Sequence, residues 1–397
     1  MEHVFLGLNI NIDAIMHIET TDQFIRIQQL LEQHCPEILP IFTDAVSGGY
    51  AREELVPSTL VSDILSEFEH EQVLGGQEGF FFQNTVRSFK HMKPVLHLPN
   101  RSVKMVEFVK TICPTALVFE DNGLMSISDI QTTNEAAPVH IVAEYPAGLV
   151  MPDGSVVHRA NRFILTFDET NSNLVLDEHL FMNMNLIDKD WAVLISGHHL
   201  ISVDKLTDEF KNKHTTLMQT LADRAGWVHY EMAFQSDKVV RDYILDDLIP
   251  KASSVGLNEV ELRLFAETCC EEYCAEDTLP QTLIRFTNDL QLPQVFFHTL
   301  GLYVAIGCKS PFSKAAYDYG MHIGERVILD TRAVEDSEAF YVDLKHDLTE
   351  FDTVPDTIDK EKLVYFKPKI LKPISSTVGL GDTISSSIVL GVCSHTD

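Results

Sequence analysis

The chain reads as an α/β protein, with a doubly wound, mostly parallel central sheet flanked by helices. Three observations carry that reading. From about residue 190 onward, apolar β-leaning runs alternate with helically patterned ones, and strict alternation implies parallel βαβ units. Val4 to Ile10 is a short apolar run fit for a buried strand, with Asn11 and Asp13 directly behind it, and open α/β sheets bind ligands at strand ends. Near the C-terminus, Ser375-Ser-Thr-Val-Gly-Leu-Gly-Asp-Thr-Ile-Ser385 is a glycine-rich turn that runs into an apolar, small-residue stretch, Thr383 to Val392.

The remaining elements follow in order. Residues 21 to 35 and 57 to 72 carry helical patterning, the second ending near Gly75-Gly76. Ala116 to Phe119, His140 to Glu144 and Phe163 to Phe167 read as strands, and Met151-Pro-Asp-Gly-Ser155 has the chemistry of a turn. Trp191 to Ser196 is a strand, 204 to 225 a helix, Trp227 to Ala233 a strand and 236 to 248 a helix. Ser253 to Leu257 is again a strand, with a helix from 259, and Leu363 to Phe366 a further strand. Right-handed crossovers put the parallel strands' C-termini on one edge, so Gly197, Glu231, Asn258 and Glu261 can converge there.

Composition narrows the function. In 397 residues, 59 acidic against 30 basic side chains give a formal charge of −29. Such a surface repels nucleic acid and anionic membrane at long range. An apolar content of 45% is ample for a real core. No basic leader with a cleavable apolar core opens the chain, and no stretch approaches about 18 uninterrupted apolar residues; the expected location is the cytoplasm. Seven cysteines without paired spacing argue against a disulfide framework or a zinc site. Cys269 and Cys270 fall on the stripe Leu262, Phe265, Ala266, Cys269, Cys270, Tyr273, which is one buried helix face.

The glycine-rich turn carries the chemistry. Gly379 and Gly381 let a ligand approach bare N–H groups, and the first turn of the helix behind them offers unpaired donors at the positive end of its dipole. That is an anion site. A fixed carboxylate beside a phosphate is unfavourable, so Asp382 points to a base that takes a proton from an attacking hydroxyl; read alone, it can equally cap the helix. Asp13, at a strand end, can accept hydrogen bonds from a ligand's hydroxyls, and Asn11 and Asp13 can equally form a turn. His229 and Glu231 lie two apart on a strand and share a face. Asn258-Glu-Val-Glu261 has the form of a capping box.

In series, these segments resemble the ribokinase-like sugar kinases, specifically the ADP-dependent glucokinase and phosphofructokinase family. The resemblance rests on Gly7-Leu-Asn-Ile-Asn-Ile-Asp13, Gly75-Gly-Gln77, Glu144-Tyr-Pro-Ala-Gly148, Arg159-Ala-Asn-Arg-Phe-Ile164, Ile195-Ser-Gly197, His229-Tyr-Glu231, Gly256 to Glu261, His298-Thr-Leu-Gly301 and Gly379-Leu-Gly-Asp382. It runs from residue 7 to residue 385. It implies a ribokinase-like fold, with a large nucleotide-binding domain at 1–13, 74–136 and 187–397 and a smaller β-rich lid at 14–73 and 137–186.

The resemblance also implies a Mg²⁺-dependent transfer of phosphate from ADP, with release of AMP, to a hexose or hexose phosphate. The alternatives are an ATP-dependent ribokinase-type enzyme and a non-catalytic binder on the same scaffold. Asp382 becomes the base, and Gly379, Leu380 and Gly381 the amide ring around the transferring phosphoryl group. Asn11, Asp13, Gly75, Gly76 and Gln77 face the sugar. Arg159 and Arg162 either grip a sugar phosphate or knit lid to core. Asn258, His298, Thr299 and Val364 fall on the nucleotide side, Glu231 and Glu261 beside the metal. Glu78 and Phe80-Phe-Phe82 depart from the family pattern, the carboxylate either repelling a phosphorylated sugar or facing solvent.

Overall fold

The computed structural model describes residues 1–270, 277–299, 302–307, 314–331, 363–366 and 380–394. Among them fifteen strands form two sheets. The first nine are β1 (His3–Gly7), β2 (Asn11–His17), β3 (Arg52–Leu55), β4 (Glu71–Gly75), β5 (Lys93–Leu96), β6 (Leu117–Glu120), β7 (Gly123–Ser126), β8 (Val139–Tyr145) and β9 (Asn161–Phe167). Six more follow: β10 (Trp191–Ile195), β11 (Trp227–Glu231), β12 (Ser254–Leu257), β13 (Val295–Thr299), β14 (Leu302–Ile306) and β15 (Leu363–Phe366).

The large sheet has the order β15-β14-β13-β12-β11-β10-β1-β5-β6-β7. From β13 to β6 every neighbouring pair is parallel, and only the outer pairings β13–β14, β14–β15 and β6–β7 are antiparallel. Chain order runs outward from β1 in both directions, so the topological switch lies beside it, where ligands enter such folds. Its central strands are apolar on both faces because both are covered. Phe5, Val193 and Ile195 pack into one core with Leu217, Leu221 and Phe265. Their neighbours Val4, Leu6, Ala192 and Leu194 pack into the other with Phe296, Ile384 and Ile388.

The small sheet has the order β3-β9-β8-β2-β4. Ala14, Met16, Ile141, Ala143, Phe163 and Leu165 bury one face against the helices Thr21–His34, Ile38–Gly48 and Ser58–Glu67. Alternation then sends Asn11, Asp13, His140 and Arg162 to the opposite face. Asp13 pairs in register with His140, and Glu144 with Arg162. Glu53 pairs with Ile164 and so joins the same polar face.

Three sequence expectations are corrected here. Asn11 and Asp13 do not trail the first strand; they open β2, where the chain leaves the large sheet for the small one. Helical patterning over 57 to 72 ends as helix at Glu67, and Glu71–Gly75 is an edge strand whose exposed Glu71 mimics a solvated helix face. Glu78 neither meets solvent nor stands free to repel a phosphate. It is fully buried, one carboxyl oxygen accepting from the His97 amide at 3.0 Å and the other without a partner.

Burial holds the Glu78 carboxyl well above the usual range, against the His97 hydrogen bond. A carboxyl whose folded pKa is raised stabilises fully below its unfolded pKa, and that contribution drains away as pH rises above it. Glu78→Gln keeps the shape and removes the ionisation, so it is expected to raise the melting temperature at pH 7.5 relative to wild type and to lose that advantage near pH 4.5.

The C-terminal helix Leu380–Ser394 is lined with small residues because it lies inside the molecule. Ser385, Ser386 and Ser387 are fully buried. Asn84 donates to the Ser386 and Ser387 hydroxyls at 2.8 and 2.7 Å, fastening it to the helix Gly76–Ser88. No helix among the described residues is long and apolar enough to cross a membrane.

Candidate active site

At the C-terminal edge of the large sheet, Glu231 ends β11 with both carboxyl oxygens engaged. One lies 2.9 Å from His298 Nε2, on β13. The other takes the Ser385 hydroxyl and lies 3.0 Å from His229 Nε2. The Ser254 hydroxyl accepts from the Trp227 indole at 3.0 Å and lies 2.8 Å from His229 Nδ1. That oxygen is then free to donate to His229 Nδ1, leaving the ring proton on Nε2 for Glu231. Position 256 must be glycine, since a Cβ there would stand 1.9 Å from the Glu231 carboxylate.

Burial works against the charge on Glu231, but His298, then His229, win and hold it at about 2. His298 is correspondingly pushed up to about 9 by Glu231 despite its own burial. Glu261 follows Asn258 in a capping box: Asn258 Oδ1 accepts from the Val260 and Glu261 amides at 2.9 and 3.1 Å, and Glu261 accepts from the Asn258 amide at 2.9 Å. Burial lifts Glu261 to about 8, with Glu231 and Asp382 adding to it.

Asp382 sits in the first turn of the helix Leu380–Ser394, half-buried. Burial, then the Glu231 charge, pushes its carboxyl up to about 7, opposed by His298, by Arg162 and by a hydrogen bond from Gln77. Gln77 also accepts from the Ser196 hydroxyl and lies 3.4 Å from the Met232 carbonyl, which ties the helix Gly76–Ser88 to the strand ends. A Cβ on Gly381 would meet His298 at 2.8 Å, so the turn before Asp382 lies directly over that ring.

Across the cleft, Asn11 donates to Asp13 at 2.5 Å. Gly75 and Gly76 make room for both. A Cβ on Gly75 would stand 2.1 Å from the Asp13 carboxyl carbon; Gly76 has φ +72 and approaches the Asn9 carbonyl and Asn11 side chain too closely for any other residue. Burial raises the Asp13 carboxyl, against His140, Asn11 and Arg162. Arg162 thus acts on both Asp13 and Asp382, linking the two sides.

Of the residues singled out in sequence, Asn11, Asp13, Gly75, Gly76, Gln77, Arg162, Glu231, Asn258, Glu261, His298, Gly381 and Asp382 share this cleft. Arg159 is exposed in the loop before β9, its backbone against Gly49 and its charge acting on the Tyr145 phenol. Thr299 ends β13, paired with Leu302, and Val364 lies in β15 opposite Ala305. Leu380 opens the C-terminal helix; Gly379 lies outside the described residues. Two cleft groups carried no role in the sequence reading. His140 was seen only as a strand residue, and Glu53 lies in a four-residue edge strand with no motif to mark it.

The Glu231 charge helps to raise both Glu261 and Asp382, and Asp382 adds to Glu261, which marks three carboxyls gathered at one place. Among the described residues no group of three or more His, Cys, Asp or Glu side chains is placed to hold a metal ion directly, so these carboxyls fit only an ion such as Mg²⁺ that keeps several of its waters. Because both Glu231 oxygens are already hydrogen-bonded, that side chain fits contact through water.

A doubly wound sheet, a second sheet presenting a polar face, and the Asp382 carboxyl at the first turn of a buried helix between them fit an α/β sugar kinase. The chain belongs to the ADP-specific phosphofructokinase/glucokinase family, whose profile matches residues 2–391. It is 24% identical over 444 residues to an ADP-dependent glucose/glucosamine kinase of Pyrococcus furiosus, covering 99% of this chain and 94% of that one. It is 25% identical to the same enzyme of Pyrococcus abyssi, over 97% of this chain and 93% of that one. Among solved structures, an ADP-dependent kinase in complex with fructose-6-phosphate and ADPβS aligns with TM-score 0.76 at 21% identity, over 100% of this chain and 94% of that one. A hypothetical ADP-dependent phosphofructokinase of Pyrococcus horikoshii aligns with TM-score 0.74 at 17% identity, over 99% and 98%.

Proposed function

We infer that the protein is a Mg²⁺-dependent kinase that transfers the terminal phosphoryl group of ADP to a hexose hydroxyl and releases AMP. The observation that carries this is the position of Asp382, between the Glu231–Glu261 cluster and the Arg162–Asp13 face, at the first turn of a buried helix. Asn11 and Asp13 orient the acceptor, with the small sheet acting as its lid. Asp382 accepts the hydroxyl proton as the oxygen attacks, and the amides at Gly379, Leu380 and Gly381 hold the transferring oxygens. Arg162 offsets charge at the junction. Asn258, His298, Thr299 and Val364 line the nucleotide side. Glu231 and Glu261 would hold magnesium through its waters, and the ion would neutralise charge on the phosphates.

The acceptor face carries a second carboxyl, Glu53, exposed on β3 with β9 and β8 between it and Asp13. A second carboxylate disfavours a phosphorylated sugar, so the unphosphorylated hexose is the favoured acceptor. The five cysteines that are free among the described residues, together with the kinase reading, support a reducing cytoplasm as its location.

A base at about 7 in the free enzyme sets the pH dependence of kcat/KM. The deprotonated form is active, so kcat/KM is expected to fall about tenfold per pH unit below that value. A profile flat down to pH 5 would show that the Asp382 carboxyl is not raised in the free enzyme.

The test of the reaction is chromatography of nucleotide products after incubation with Mg²⁺ and ADP or ATP against glucose, glucosamine and fructose 6-phosphate. AMP formed from ADP only when a hexose is present supports the reading. ADP formed from ATP alone would favour the ATP-dependent enzyme, and sugar binding without product the non-catalytic binder.

A further inference from the structure

On the polar face of the small sheet, a buried hydrogen-bonded node stands behind the acceptor site. His140 is a register partner of Asp13. Its Nε2 lies 3.1 Å from Asp168 Oδ2. The same Asp168 oxygen accepts from Asn171 Nδ2 at 2.6 Å, and Asp168 Oδ1 accepts from the Asn171 amide at 2.9 Å. Asn171 Nδ2 also donates to the Ile10 carbonyl at 3.2 Å, in the link that carries the chain from β1 to β2 and directly precedes Asn11. All three side chains are more than nine-tenths buried: His140 6%, Asp168 6% and Asn171 3% exposed.

We propose that Asp168, locked by Asn171, is a positioning residue for the acceptor sugar: it fixes the His140 ring, and Asn171, by donating to the Ile10 carbonyl, ties that node to the strand start bearing Asn11 and Asp13. This rests on the kinase reading and extends it from the groups that meet the sugar to the node that sets them. A carboxylate on Nε2 fixes the ring orientation and keeps a proton on Nε2, so that Nδ1 accepts in the neutral ring and donates once the ring is protonated. Burial opposes the imidazolium, but Asp168, then Glu53 and Asp13, outweigh it and keep His140 above its ordinary value, while Arg162 stands on the same face.

Asp168→Asn is the informative change. Asparagine caps the short helix Glu169–Ser172 as well as aspartate does, but it is neutral and can turn a donor toward Nε2, imposing the wrong tautomer. The sugar KM is expected to rise about 10- to 100-fold, the scale of a lost hydrogen bond to a charged group, with the ADP KM within about twofold. The His140 titration, read by NMR of its ring Cε1–H, should move to lower pH. His140→Gln should raise the sugar KM likewise, and the double variant should be no worse than either alone.

An unchanged sugar KM in Asp168→Asn, an equal rise in both KM values, or an unmoved His140 titration overturns the proposal. If Asp168→Asn fails to fold, a sugar KM unchanged in His140→Gln overturns it equally. A wild-type enzyme that phosphorylates no sugar overturns the kinase reading instead. Calorimetric binding of glucose, weakened in Asp168→Asn relative to wild type, would then still support the node, and equal or absent binding would sink it.

Discussion

Asp382→Asn is expected to lower kcat roughly 10²–10⁴-fold, the usual worth of a positioned general base, while the dissociation constant for the sugar stays within about twofold. The reasoning is geometric. Asparagine keeps the size of the side chain and its reach to Gln77, yet cannot take a proton. The substitution also removes one negative charge from the set shared with Glu231 and Glu261, so Glu261 should titrate lower and binding of the anionic nucleotide should hold or tighten. Turnover lost with binding kept separates a base from a helix cap, because loss of a cap costs about 1 kcal/mol of stability and leaves the chemistry alone.

Gly75→Ala should do the opposite, sparing the chemistry and removing the acceptor. The new Cβ would lie 2.1 to 2.4 Å from the Asp13 carboxyl atoms. Gly75 has φ −120, open to alanine, so the backbone is not the obstacle. Asp13 can swing away at little cost to the fold, and its hydrogen bonds to the sugar are lost. Hydrogen bonds to a charged group contribute about 1.5–3 kcal/mol, so the sugar KM should rise roughly 10- to 150-fold. The melting temperature and the KM for ADP should barely move. A variant with a normal sugar KM would take Asp13 out of the acceptor site.

The large sheet was legible because burial on both faces writes apolar runs at β1, β10, β11 and β12, and the helices between them carry their own period. The convergence of Glu231, Asn258 and Glu261 followed from that topology before any contact was known. The small sheet was harder. β3 and β4 are edge strands with exposed glutamates, which resemble loop or helix surface, and the helix Ile38–Gly48 went unassigned. Glu53 therefore had no local signal, since its role comes from pairing with β9, more than a hundred residues away. His140 was visible as a strand residue, but its partner Asp168 lies beyond β9 and no spacing joins them. The Asn258–Glu261 pair shows that the two readings of a motif can coexist: it caps its helix and also joins the carboxylate cluster.

The most direct measurement is a crystal structure of Asp382→Asn with ADP, Mg²⁺ and glucose bound. The expected result is a sugar hydroxyl within about 3.2 Å of the residue 382 side chain and in line with the terminal phosphorus of ADP, with Asn11 and Asp13 on the other hydroxyls. A sugar held elsewhere, or a residue 382 side chain turned from the line between hydroxyl and phosphorus, would contradict the account.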